Sequence, residues 1–294
     1  MRLGAIDIGS NAARLLITEV MIKNNGQPEF IKLNLVRVPL RLGFDVFETR
    51  EISKEKIGMI LQTIKAYKHL LNAYGVKHVK ACATSAMRDA KNAADIIRKV
   101  KLETDIEIEV ISGDAEASLI YENHVAENMS ADESYLYIDV GGGSTELTFF
   151  SDGKLVFKQS FDIGTIRLLK NMVKEETWDK MKDFIKVKTK GYRHVTAIGS
   201  GGNINKVFSL SKRKEGKPLP LELLRDYHKE LSNFTLEERI SIYKLREDRA
   251  DVIVPALQIY INVMRWTDCD EIYVPKIGLA DGLIHHLYDE VVKF

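Results

Sequence analysis

The chain has 294 residues, and its 43 Lys and Arg against 42 Asp and Glu leave a formal net charge of +1, which provides no global field for nucleic acid or an anionic membrane. Hydrophobic residues make up 45% and charged residues 29%, the proportions of a soluble globular protein, and the length suggests about two domains at ~100–200 residues each. Two cysteines, Cys82 and Cys269, stand far apart without a CxxC, which fits a reduced, cytoplasmic setting and excludes a disulfide framework or cysteine metal site; neither a signal peptide nor an apolar run of about 18 residues is expected.

From the first residues, "LGAIDIG" reads as a strand, "NAARLLITEVMI" as a second after a tight turn, and the alternating "FIKLNLVRVPLRL" as a third. A helix follows from Ser53, a plausible N-cap with Lys56 three residues on, so the capping box is incomplete. Its apolar residues Ile57, Ile60, Leu61, Ile64, Tyr67, Leu70 and Leu71 keep helical spacing, and Gly75 stops it. Then come a strand "HVKACAT", a helix "NAADIIRKVKLET", a strand "IEIEVIS" and a helix "AEASLIYENHVAE".

The pattern restarts near Ser134. "SYLYIDVG", "STELTFFSDG" and "KLVFKQSFDIG" read as three strands, and "TIRLLKNMV" and the stretch from Thr177 to about Lys190 as helices. "HVTAIGSGG" is a strand running into the helix "NINKVFSLS", and "SKRKEGKPLP" a basic surface loop. Helices around "LELLRDYHKELSN", "TLEERISIYK" and Val252 to Arg265, a strand "EIYVPKIG" and a closing helix from Leu279 complete the chain. Strands mixed with helices on both sides of the restart predict an α/β protein of two related domains, 1–125 and 126–294, with the closing helix 279–294 able to pack back on the first.

Within this frame Asp7 and Asp139 each end a strand and precede a turn of small residues, Gly9-Ser10-Asn11 and Gly141-Gly142-Gly143-Ser144-Thr145. Residues without bulk let a backbone approach a phosphate with its N–H groups pointing into the site, and an Asp at the strand end offers a carboxylate to a hard cation. One such hairpin is more often a plain turn; two with the same flanking strands favour the phosphate reading. Gly199, Gly201 and Gly202 form a third turn opening a helix, either a plain tight strand-to-helix turn or one whose bare N–H groups attract anions. Glu116 lies in the first turn of a helix, either as a partner of the helix dipole or as a carboxylate taking a proton from water, with Asp114 as competitor. Arg88 has the planar donor fork suited to phosphate, against the plainer reading of a surface ion pair with Asp89 or a neighbour, and Arg14 directly follows the first turn, its side chain directed back toward that turn or out to solvent. The seven histidines have no metal-ligand spacing, and His285-His286 read as surface and edge residues.

The ordered set "AIDIGSNAARLLI", "ATSAMRDAKN", "ISGDAEASLIY", "YIDVGGGSTEL", "DIGTIRL" and "AIGSGGNINKV" resembles the exopolyphosphatase/guanosine pentaphosphate phosphohydrolase (Ppx/GppA) family of the actin/sugar-kinase/Hsp70 superfamily, over essentially the whole chain. The resemblance implies two ribonuclease-H-like, actin-like ATPase domains facing an interdomain cleft, and removal of terminal phosphates from polyphosphate or of the 5′ γ-phosphate from pppGpp, usually with Mg²⁺. By motif position it makes Glu116 the base, Asp139, Glu146 and Asp7 the metal-facing carboxylates, and Ser10, Asn11, Arg14, Arg88, Gly141 to Thr145, Gly201 and Gly202 the phosphate-binding residues. The partners implied are a polyphosphate or guanosine nucleotide and a second copy in a homodimer, with no DNA and no membrane.

Three departures bear on turnover. Ala12 stands where the family's GSNS has its second serine, Ala115 removes the acidic neighbour of Glu116, and Ala280-Asp281 replace the Arg-Glu of GLREG in a place expected near the cleft. They motivate a second reading, a low-turnover sensor of (p)ppGpp or polyphosphate. A kinase of the same superfamily is a third, with no sugar or acetate motif to support it.

Overall fold

A computed structural model describes residues 1–116, 118–119, 133–192, 194–275 and 278–292. Two compact units divide the chain, Met1–Asn123 together with Leu279–Phe294, and His124–Gly278.

In the first unit β1 (Arg2–Ile8), β2 (Ala12–Ile22) and β3 (Pro28–Pro39) form an antiparallel meander, and β4 (His78–Ala83) and β5 (Ile108–Val110) extend it in parallel, in the order β3-β2-β1-β4-β5. Leu3 through Ile8 are all buried, as a central strand covered on both faces requires. On one face packs α2 (Lys54–Ala73), where Ser53 caps the Lys56 N–H and Ile60, Leu61, Ile64, Tyr67 and Leu71 are buried. Tyr67 docks this helix by donating its hydroxyl to the Ala13 carbonyl at 3.0 Å, and burial pushes its phenol far above the usual range. On the opposite face α13 (Leu279–Val292) lays Leu279, Ala280, Leu283, Ile284 and Leu287 against Leu3, Ala5, Leu16 and Val20.

The third strand is shorter than its pattern suggests. It stops at Pro39 because the Asn11 carbonyl accepts from both Leu40 N–H and Arg41 N–H, and Arg41 turns left-handed at φ 52°. A helix the pattern missed, α1 (Gly43–Thr49), follows, burying Val46 and Phe47. The remainder comprises α3 (Ser85–Asp89), α4 (Ala93–Thr104) and the helical residues 113–116, 118 and 119, α5. The expected continuation of α5 through Glu127 lies outside the described residues.

The second unit repeats the plan. β6 (Ser134–Val140), β7 (Thr145–Ser151) and β8 (Lys154–Phe161) form the meander, β9 (Val195–Ser200) and β11 (Glu271–Tyr273) add in parallel, and β10 (Leu219–Pro220) closes the edge, in the order β10-β11-β9-β6-β7-β8. Its core gathers around α12 (Ile253–Trp266), a helix apolar nearly all round with Ile253, Leu257, Tyr260, Val263 and Met264 buried. Flanking helices include α6 (Thr165–Leu169), α7 (Glu175–Lys188), α8 (Gly202–Ser211), α9 (Leu221–Ser232), α10 (Leu236–Tyr243), whose Thr235 and Glu238 form a reciprocal capping box, and the one-turn α11 (Glu247–Ala250). No helix among the described residues is long and apolar enough to cross a membrane.

Both cysteines lie in these cores, Cys82 at 1% and Cys269 at 2% exposure. Burial, reinforced by Asp7 and Glu116, holds the Cys82 thiol well above its ordinary range, and burial pushes Cys269 up to about 11. Since the thiolate is the nucleophile, neither should react with a thiol reagent at pH 8 in the folded protein, and both should react in denaturant. Fast labelling of either thiol without denaturant would contradict this packing.

Candidate functional site

The two Asp-bearing hairpins close in the same way. Gly9 N–H donates to the Ala12 carbonyl at 3.0 Å in the first unit, and Gly141 N–H donates to the Ser144 carbonyl at 2.9 Å in the second. In both, the Asp two residues earlier faces a residue seven positions on across the β-ladder, Arg14 for Asp7 and Glu146 for Asp139. The chemistry then diverges. The Arg14 guanidinium donates to the Asp7 carboxylate at 2.7 Å, with Asp7 only 3% exposed, so this pair is a neutralised ion pair. Asp139 and Glu146 instead bring carboxylate oxygens within 4.8 Å of each other, and Glu146 at 3% exposure accepts from the Ser160 hydroxyl at 2.9 Å. A buried Glu146 beside a half-buried Asp139 presents an all-oxygen donor pair that fits a hard divalent cation.

The Gly141–Ser144 turn is oriented by the segment after β8. The Gly141 carbonyl accepts from Thr165 N–H at 3.0 Å, Gly142 from Ile166 N–H at 2.9 Å, and Gly143 from the Arg167 Nε at 2.7 Å. In a trans peptide the C=O and the next N–H point opposite ways. With three successive carbonyls turned toward α6, the N–H groups of Gly142, Gly143 and Ser144 point to the other side, and no backbone carbonyl of the described residues accepts from them. A row of amide donors with no backbone acceptor among the described residues is the kind of group that can face an anion. The close packing demands glycine at 164, where a Cβ would come within 2.4 Å of the Gly142 carbonyl oxygen. Thr145 is fully buried and donates its hydroxyl to the Ile163 carbonyl at 2.6 Å, so it fastens the turn from behind.

The third turn lies beside the same carboxylate. Gly201 adopts φ 107° ahead of α8, and a Cβ there would meet the Asp139 Oδ1 at 3.1 Å. Tyr260, fully buried, donates its hydroxyl to the Ser200 carbonyl, and burial together with Asp139 pushes its phenol far up. Arg249 donates to the Gly202 carbonyl.

A model of the Ppx/GppA phosphatase family matches residues 20–291. The chain belongs to that family. Among curated proteins, Exopolyphosphatase 1 of Mycobacterium tuberculosis is 24% identical over 97% of this chain and 87% of its own length. The bifunctional 3-dehydroquinate synthase/phosphatase of Fusobacterium nucleatum is 33% identical over 72% of this chain, which spans only 34% of that relative. Among solved structures, an exopolyphosphatase from Cytophaga hutchinsonii superposes with a TM-score of 0.85 at 27% identity, covering 99% of this chain and 98% of that one. The Aquifex aeolicus Ppx/GppA family member gives 0.73 at 26% identity over 100% and 98%. The two mixed sheets with their helices are the actin-like ATPase fold of these Ppx/GppA structures.

For a Ppx/GppA member, the remaining residues of interest fall as follows. Ser10 is buried with its hydroxyl 2.7 Å from that of Ser85, a contact no sequence pattern announced. Asn11 uses its carbonyl to turn the chain after β3. Arg88 is exposed on α3 and donates to the Ile111 carbonyl at 2.6 Å; its neighbour Asp89 lies 3.9 Å from Arg50 instead. Glu116, 9% exposed, sits in α5 with its N–H on the Ser112 carbonyl at 2.9 Å. Ala280 is a core residue at 5% exposure, and Asp281 lies 2.6 Å from Lys32 of β3. His285 stacks on Phe30 at 3.9 Å and His286 contacts Glu290 at 3.1 Å, both structural.

Proposed function

We propose that the protein hydrolyses terminal phosphoanhydride bonds of inorganic polyphosphate, or the 5′ γ-phosphate of pppGpp, with a divalent cation such as Mg²⁺. The observation that carries this reading is the Gly142–Ser144 cradle, with three unused N–H donors on the same hairpin as the Asp139–Glu146 pair. Phosphoryl transfer needs positioning and neutralisation of spread negative charge more than covalent chemistry from the protein. Amide donors and cationic groups supply that neutralisation. Membership of a phosphatase family and likeness to exopolyphosphatases support the substrate class.

Asp139 and Glu146 would hold the cation, which when bound offsets charge on the phosphate oxygens. The cradle would orient the terminal phosphate, Arg14 and Arg88 would hold neighbouring phosphates, and Glu116 would take a proton from the attacking water. Asp7 contributes chiefly by fixing Arg14, since one of its oxygens accepts the guanidinium. Of the departures that suggested a sensor, Ala12 at 4% and Ala280 at 5% exposure are packed in the core.

Phosphate release should be measured in parallel from tripolyphosphate, long polyphosphate and pppGpp, each with Mg²⁺ and with EDTA. Release from at least one substrate, falling by about a hundredfold or more on chelation, is the expected outcome. Tight binding without release under Mg²⁺, Mn²⁺ and Ca²⁺ would sink the hydrolase and leave the sensor.

A further inference from the structure

We infer that Arg167 is a positioning residue for the phosphate cradle, setting the direction of the Gly142–Ser144 amides without itself touching phosphate. The Arg167 side chain is 15% exposed and its Nε donates to the Gly143 carbonyl at 2.7 Å, while its own N–H reaches the Gly142 carbonyl at 3.4 Å. One residue therefore holds two of the three carbonyls of the turn. Its outer nitrogen lies 3.6 Å from Asp162, a carboxylate 80% exposed and too well solvated to fix the guanidinium strongly. The charged donor polarises the Gly143 peptide, which makes the adjoining Ser144 N–H a stronger donor toward an anion on the opposite side. Without Arg167 the Gly143 peptide can flip, and a flipped peptide presents a carbonyl where the cradle needs an N–H. Gly164 serves the same contact from the neighbouring position, since a Cβ there would push on the Gly142 carbonyl.

This inference rests on reading the turn as a phosphate cradle, so the test carries a measurement that does not depend on catalysis. In the ¹⁵N-labelled full chain, the Gly142, Gly143 and Ser144 amide resonances are compared between wild type, Arg167→Met and Arg167→Lys, with Gly164→Ala as a second perturbation. Arg167→Met and Gly164→Ala should move these three resonances without tripolyphosphate present, while amides of β9 and α12 stay in place. Arg167→Lys should restore them in part. Where the wild type releases phosphate, kcat/KM of Arg167→Met should fall about tenfold to a hundredfold, the range for losing a hydrogen bond to a charged partner.

The slope of log affinity for long polyphosphate against log salt should remain that of the wild type, because no phosphate contact is lost. A slope reduced by about one would make Arg167 a direct phosphate ligand and overturn the inference. Unchanged resonances in Arg167→Met would overturn it as well. A wild type that neither binds nor cleaves any phosphoanhydride would defeat the proposed function, and the ligand-free resonances would still decide the role of Arg167.

Discussion

Glu116→Gln is expected to lower phosphate release by about two to four orders of magnitude while leaving the melting midpoint within about 2 °C of the wild type. The substitution keeps the side-chain shape and one acceptor oxygen, and removes the negative charge and with it the ability to take a proton. Glu116 is 9% exposed in the first turn of α5, where its backbone N–H bonds Ser112. With Ala115 beside it, Asp114 is the remaining nearby acid that could take its place. The readout is kcat at saturating tripolyphosphate, with circular dichroism to confirm the fold. Equal release from wild type and variant would remove Glu116 from the mechanism and turn attention to Asp114.

The hairpins were legible in the sequence because they depend on local order: an apolar strand, an acid, small residues, a second strand. Their common closing hydrogen bond and the seven-residue register follow from that order. What distinguishes them also stands in the sequence, as Arg14 in one copy and Glu146 in the other. Elements set by long-range contacts were not legible. Helix α1 follows a strand that runs on in pattern through Leu42, and only the Asn11 carbonyl, far back in the chain, breaks it. The two-residue β10 exists only because β11 gives it a ladder partner. Asp281 finds Lys32, and Arg167 finds Gly143, through the fold alone; the motif "DIGTIRL" was visible, but not which carbonyl its arginine holds. The sequence signal that could have flagged Arg167 is the glycine three residues before it, whose need becomes plain only when the turn lies against it.

Gly282→Ala is expected to cost about 3 kcal/mol or more of stability, the upper part of the range for overpacking, because the obstacle is backbone. A Cβ on Gly282 would lie 2.0 Å from the Leu119 carbonyl oxygen and 2.5 Å from its carbon. A flexible side chain could rotate away from such a contact, but a main-chain carbonyl in α5 cannot without moving the helix. Either α13 lifts from the sheet or α5 shifts. The first uncovers Leu3, Ala5, Leu16 and Val20, which lie against α13 in the core; apolar surface re-exposed costs roughly 25 cal/mol per Å². The second carries Glu116, three residues before Leu119, out of its position. Glycine is needed for space alone, because Gly282 sits in ordinary helical geometry within α13. Helix propensity favours Ala over Gly by about 1 kcal/mol, so a stabilised variant would be the outcome if the close approach were absent. Urea denaturation decides it. A midpoint shifted down at unchanged slope supports the contact, and a midpoint equal to or above the wild type refutes it. Activity measured well below the melting transition then separates the two relaxations. Normal turnover in the folded variant means α13 gave way, and a loss of kcat with the fold intact means that α5, and Glu116 with it, moved instead.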